Sequence, residues 1–156
     1  MAARKQIYIY TDGAAKGNPG PGGYGTVLIF GNHRKELSQG YVETTNNRME
    51  LLAVIAGLEA LTTKEFPVAI YSDSKYVVDA INKRWLNKWV KTGFKKKKNV
   101  DLWQRFLPLQ KKFILSFNWI KGHAGHIENE RCDELAVEAA EGSNLIIDKG
   151  FNLSQN

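Results

Sequence analysis

The order of strand-like and helix-like segments predicts an α/β protein: a mixed β-sheet with helices packed on it. Three observations carry this. Short segments rich in Ile, Tyr, Val and Phe open the chain and recur later, Leu and Ile recur with a helical period between positions 46 and 61, and turn-forming residues fall between these segments. The chain has 156 residues, 43% hydrophobic and 24% charged, which suits one globular domain and excludes a disordered chain. A single cysteine, Cys132, excludes an internal disulfide, and there is no CxxC pair for a structural zinc. No apolar run reaches the roughly 20 residues of a membrane span. A reducing, cytoplasmic setting is expected, with no leader peptide, because the apolar part of MAARKQIYIY runs straight into a strand pattern.

Residues 5–12 alternate and are rich in Ile and Tyr, which marks a first strand. NPGPGGYG at 18–25 is a turn cluster, a second strand begins at 26–30, and Gly31-Asn32 can close a hairpin into a third strand near 36–43. Residues 46–61 put Leu51, Leu52, Ile55, Leu58 and Leu61 on one helical face. Pro67 opens a compact fourth strand at 68–73, and Ser74 is a good N-cap for a helix through Tyr76, Val77, Ala80 and Ile81. A basic, aromatic segment follows, then a helix at about 100–111 that Pro108 is expected to kink or shorten. Residues 113–120 read as the fifth strand. Residues 127–141 read as the last helix, with Cys132, Leu135, Ala136 and Ala139 as its buried stripe. Gly142 ends it, and a tail with Ile146, Ile147 and Phe151 is expected to dock on the surface. The expectation is one domain over 1–156, with a core of about 6–141, a tail at 142–156 and a five-stranded sheet.

One motif misleads. Gly20, Gly22 and Gly25 satisfy GxGxxG after a strand, but a dinucleotide site needs those glycines to open a helix. Here YGTVLIF continues as a strand, so the run is a hairpin connection.

Twenty-two Lys and Arg oppose sixteen Asp and Glu, a net charge of +6 that favours a polyanionic partner. Lys83, Arg84, Lys88, Lys91, Lys95, Lys96, Lys97 and Lys98 crowd residues 83–98 with no acid among them, and Trp85, Trp89 and Phe94 are interleaved. A charge run alone is usually a solvated face, and a Lys-rich tract can be a nuclear address. Stacking platforms beside cations point instead to nucleic acid.

The acids gather at element ends. Asp12 closes the first strand in TDG and Asp73 the fourth in YSDS; Glu50 sits one turn into the first helix, and Asp133 lies in the first half of the last. If strands one and four are neighbours, Asp12 and Asp73 emerge side by side, beyond the carboxyl ends where α/β sites form. Singly, each has a plain structural role: a turn residue, a helix cap, a capping-box partner of Asn47, surface. Converging carboxylates repel unless they hold a hard cation, and Mg²⁺ with oxygen ligands suits phosphate chemistry. Two such ions serve the attacking and leaving oxygens of phosphoryl displacement, with Asp12 as the candidate bridge. A zinc trio of His123, His126 and Cys132 is the weaker alternative. Setting aside Asp12, Glu50, Asp73, Glu130 and Asp133 leaves 22 basic side chains against 11 acids, an acidic pocket in a basic body.

TDGAAKGNPGPGGYG, TTNNRMELLA, SDSKYV, NVDLW and WIKGHAGHIENERCDELA resemble, motif after motif, ribonuclease HI of the bacterial type, from about residue 6 to 141. The resemblance implies a ribonuclease H-like fold and an endonuclease that cuts the RNA strand of RNA/DNA hybrids with Mg²⁺ or Mn²⁺. It places the metal-binding acids on Asp12, Glu50, Asp73 and Asp133, a flexible catalytic histidine on His123, and an acid that helps catalysis or product release on Glu130. Asn18, Thr45, Asn46 and Asn47 fall where the family grips the hybrid, and the segment from Trp85 through Lys88, Trp89 and Lys91 to Lys98 resembles its basic protrusion, which holds the DNA strand. The residue chemistry agrees. RNA differs from DNA by its 2′-hydroxyl, exposed in a wide minor groove, and Asn46-Asn47 at a helix start offers amides and free N–H groups to meet it. Trp85 and Trp89, one helical turn apart, could floor a deoxyribose; their plain alternative is core packing. Three residues depart from the family pattern. Lys75 stands where many relatives carry Gln, which suggests a phosphate contact in place of an amide contact. Ala15 occupies a frequent Cys position, and Phe94 a usual Trp position, beside a shortened loop. His126 reads as structural. A stand-alone monomer with no obligate protein partner and no membrane is expected.

Overall fold

The computed structural model describes residues 5–122 and 125–151. Its strands are β1 (Ile7–Ala15), β2 (Gly20–Phe30), β3 (His33–Thr44), β4 (Val68–Ser72), β5 (Leu115–Trp119) and β6 (Leu145–Ile146). Its helices are α1 (Asn46–Glu59), α2 (Lys75–Asn82), α3 (Trp85–Lys91), α4 (Val100–Lys112) and α5 (Ile127–Glu141). The strands form one mixed sheet in the order β5-β4-β1-β2-β3-β6. β1, β2 and β3 form an antiparallel meander, and β4 and β5 run parallel to β1. The β2–β3 hairpin closes in two residues, with Phe30 opposite His33 and Gly31 at φ +59°, the backbone region a short hairpin turn calls for.

Alternation along β1 and β2 sends neighbouring side chains to opposite faces. Ile9 and Leu28 belong to the main core, while Tyr10 and Val27 pack with Cys132 and Leu135 of α5. The main core lies on the other face, where α1 is buried along most of its length between the sheet and α4. Helix α5 approaches the sheet closely because the strands below it are bare: a Cβ on Gly23 or Gly25 would meet the α5 backbone at Ala136 or Cys132. That is the work of the glycine run in β2, and none of these glycines opens a helix.

The expected α/β class and element order are observed, with several differences. β2 begins at Gly20, so the glycine-rich residues 20–25 read as a turn and hairpin connection are strand, paired with both β1 and β3. Glycine is a weak strand former, and here the close packing of α5 calls for it. The tail adds a sixth strand, β6, whose Leu145 and Ile146 pair with Gly40 and Tyr41 at the edge of β3. Two residues are too short to stand out by alternation. Pro108 neither ends nor shortens α4, which continues to Lys112. Proline removes one backbone hydrogen bond, and here Trp103 and Phe106 before it are buried while Leu107 and Leu109 around it pack on the core. The buried stripe of α5 runs through Asn129, Cys132, Leu135, Ala136 and Ala140, with Ala139 partly exposed.

Candidate active site

Strands β1 and β4 are parallel neighbours whose pairing ends with Thr11 opposite Ser72, so Asp12 and Asp73 lie side by side at the carboxyl edge of β4. Asp12 does not close its strand as the sequence suggested, because β1 runs on to Ala15 against β2 with Asp12 opposite Gly25. Glu50 arrives from the first turns of α1. It reaches the strand end because Gly13 has no side chain: a Cβ there would collide with Met49 and the Glu50 backbone. The Gly13 N–H donates to Asp12 Oδ1 at 2.9 Å and to Glu50 Oε1. One oxygen from each of Asp12, Glu50 and Asp73 falls within 4.8 Å of the others. Asp12 and Glu50 are 7% and 4% exposed. Asp133, half-buried on α5, lines the same polar depression with Asn46, Asn47, Lys75 and Tyr76.

Burial pushes the Asp12 carboxyl up to about 7; the hydrogen bond with Glu50 opposes the rise, and the Asp73 charge adds to it. Glu50 is held well above the ordinary carboxylate range by burial and then by the charge of Asp12. The two compete for ionisation, so the pair holds a proton that a hard cation would displace. An all-oxygen donor set, buried enough to penalise unpaired charge, fits a divalent ion of the Mg²⁺ class. Among the described residues this is the grouping of potential metal ligands. Cys132 of the zinc alternative lies in the core beside Val27 and Leu135.

The residues around the depression have particular supports. Thr45 is the N-cap of α1, its Oγ1 accepting from the Arg48 N–H at 3.3 Å, so Thr45 fills the role in which Asn47 and Glu50 could have formed a capping box. Asn18 Oδ1 accepts the Asn46 N–H at 3.1 Å and ties the β1–β2 turn to the start of α1. Asn46 and Asn47 themselves are exposed. Below them Arg48, fully buried, bonds Asp101 through both carboxylate oxygens at 2.8 Å and Asp148 at 2.8 and 2.9 Å. Glu130 is exposed one turn before Asp133 and does not line the depression. His123 lies outside the described residues, but Gly122 before it is packed on Asp73: a Cβ there would stand 2.9 Å from Asp73 Oδ2. His126 precedes α5 and is exposed.

The basic segment forms α3 and the turns after it. Lys88, Trp89, Thr92, Lys95, Lys96 and Lys97 line a groove, and Lys91 is exposed nearby in sequence. Trp85 is 38% exposed, with Lys83 Nζ 5.5 Å above its ring. Trp89 meets Trp103 edge-on at 5.6 Å and carries Lys97 Nζ at 5.1 Å, so it joins core to surface. Phe94 is buried in the main core and offers no stacking face.

The RNase H family model matches residues 4–141. The chain belongs to the ribonuclease H family. The ribonuclease H of Rippkaea orientalis (strain PCC 8801 / RF-1) is 56% identical over 152 residues, spanning 94% of this chain and 93% of that one. That of Desulforamulus reducens (strain ATCC BAA-1160 / DSM 100696 / MI-1) is 57% identical over 149 residues, spanning 92% and 93%. Among solved structures, LC9-RNase H1, described as a type 1 RNase H with the type 2 active-site motif, superposes with a TM-score of 0.79 at 31% identity, covering 98% of this chain and 82% of its own. LC11-RNase H1, solved in complex with RNA/DNA hybrid, superposes at 0.64 with 31% identity, covering 86% and 96%. A ribonuclease H is a divalent-metal-dependent hydrolase, and the acid cluster of Asp12, Glu50 and Asp73 is compatible with that chemistry.

Sequence reasoning missed three contributors. Gly13 and Gly122 act through what they lack, which no residue pattern announces. Trp119, at the end of β5, donates its indole N–H to the Asp73 carbonyl at 3.2 Å. Only the paired ends of β4 and β5 bring the two together.

Proposed function

We propose that the protein is an endonuclease that hydrolyses the RNA strand of RNA/DNA hybrids and leaves 5′-phosphate and 3′-hydroxyl ends. The observation that carries this is the convergence of Asp12, Glu50 and Asp73 at the carboxyl edge of the sheet in a family of hybrid nucleases. Asp12, Glu50, Asp73 and Asp133 would hold Mg²⁺, with Mn²⁺ as a substitute. Bound there, the metal supplies acidity for a water nucleophile and positive charge for the departing oxygen. The chain does the rest. The Gly13 N–H fixes the Asp12 and Glu50 carboxylates, and Asn46 and Asn47 present their amides at the mouth of the depression, where the 2′-hydroxyls of the RNA strand would pass. Asn18 and Thr45 hold that helix start in place. His123 would carry protons, and Glu130, one turn before Asp133 on α5, would assist product release. Trp85, Lys88, Trp89 and Lys91 would take the DNA strand, while Lys75 would contact a phosphate. One chain supplies every part, so a cytoplasmic monomer is proposed. The described residues include no helix long and apolar enough to cross a membrane.

The competing reading is a silent hybrid-binding module, which the exposed cations and Trp85 alone could support. Asp73→Asn separates the two. Cleavage of a labelled hybrid in Mg²⁺ is expected to be lost while binding is kept or strengthened, because one repulsive charge is gone. A mutant that cuts at the wild-type rate would falsify the role given to Asp73.

A further inference from the structure

Lys75 is the first residue of α2, where a cation faces the positive end of the helix dipole and opposes helix stability. It lines the depression that holds the carboxylates, yet its ammonium stands 4.9 Å above the ring of Trp119. Trp119 is 46% exposed, a large apolar surface left in water with no core to fill. Its indole N–H is committed to the Asp73 carbonyl, which fixes the ring beside the turn that carries Asp73 and Lys75. The same strand end is pinned a second time, by the Ile120 N–H donating to the Ser72 carbonyl at 2.9 Å. An exposed tryptophan, locked by its edge and facing a lysine with its ring, is an arrangement that holds a cation in one place.

We propose that Trp119 is a positioning residue that holds the Lys75 ammonium at the mouth of the carboxylate depression, where it binds a backbone phosphate of the strand being cut, next to the scissile one. This rests on the hybrid-nuclease reading and extends it to a residue outside the acid set. A free lysine side chain loses rotamer freedom when it grips a phosphate; the indole face holds it near the bound position before substrate arrives. The interaction reads no base, so it strengthens binding uniformly and adds to the salt dependence.

The test is steady-state cleavage of a labelled RNA/DNA hybrid in Mg²⁺ over a series of KCl concentrations. It compares wild type with Lys75→Met, Trp119→Leu, Trp119→Phe and the Lys75→Met/Trp119→Leu pair, with thermal melts alongside. Lys75→Met is expected to raise KM about three- to tenfold and to flatten the salt slope by about one, with kcat nearly unchanged. Trp119→Leu is expected to reproduce most of that rise, and the double variant to be no worse than Lys75→Met alone. Trp119→Phe, which keeps an aromatic face, should restore KM to within about twofold of wild type. A wild-type KM and salt slope in Trp119→Leu would overturn the proposal. So would effects that multiply in the double variant, a Phe that fails to restore KM, or a loss of kcat and melting temperature at unchanged KM. A wild-type protein that does not cut hybrids would instead sink the hybrid-nuclease reading, so the two failures are distinct.

Discussion

The carboxylates show how single residues bear on both stability and activity. Asp12 and Glu50 both have raised pKa values in the fold, so the metal-free protein binds more protons than its unfolded chain. Their contribution is fully present below the ordinary carboxylate range near 4 and is lost as pH rises through about 7. The metal-free protein should therefore weaken between pH 5 and pH 8 from this source, and Asp12→Asn should stabilise it at pH 8 by on the order of 1–2 kcal/mol. Mg²⁺ should raise Tm more at pH 8 than at pH 5; equal increments would contradict the shared-proton description. Gly122 gives a second residue-scale prediction. Gly122→Ala must displace the Asp73 carboxylate, so kcat should fall by about 10- to 100-fold with little change in Tm. An unchanged kcat would mean that Asp73 moves without consequence. Asp73 was legible in the sequence because it closes a strand ahead of a helix; Asp12 was found by the same reading although β1 continues past it to Ala15. Gly122 and Trp119 were not, because their importance is a through-space approach to Asp73, set by sheet pairing and by loop position.

Among the elements, α1 and the tail are coupled through a single guanidinium. Arg48 bridges Asp101 at the start of α4 and Asp148 in the tail, and Asp148 also accepts from Thr44 Oγ1 at 2.7 Å. Asp148→Ala removes one partner of a fully buried cation and should cost about 3 kcal/mol, read as a lower denaturation midpoint. A loss below roughly 0.5 kcal/mol would show that Asp101 alone satisfies the arginine. This coupling explains why the tail docks as a strand. Leu145 and Ile146 add only a short ladder, but Asp148 and the buried Phe151 hold the segment down. The helical period of α1 was readable from its leucines, whereas a buried Arg48 looks in sequence like any surface arginine. The extent of α4 was legible too, but not that Pro108 would leave it unshortened, since packing on both sides of the proline outweighs one missing hydrogen bond.

For the whole molecule, sheet order, helix faces and charge distribution combine into one arrangement: acids at the carboxyl edge of the sheet, cations on the α3 segment and the turns after it. The alternation and helical periods were enough to anticipate the α/β class, and the charge count to anticipate a polyanion. The groove at Lys88 and Trp89 needed the turns after α3, whose left-handed residues Phe94 and Lys96 no pattern specified. If this surface grips phosphates, Lys88→Ala with Lys91→Ala should raise KM and flatten the salt dependence by about one for each phosphate no longer held. An unchanged salt slope would make the lysines a solvated face. That the carboxylates, in a basic body, direct metal-dependent cutting to the RNA of a hybrid is tested most directly with an end-labelled RNA/DNA hybrid in Mg²⁺. Single-stranded RNA, duplex RNA, duplex DNA and an EDTA control are run beside it. Cleavage of the hybrid's RNA strand alone, abolished by EDTA, is the predicted result; cutting that persists in EDTA, or that falls on duplex DNA, would contradict it.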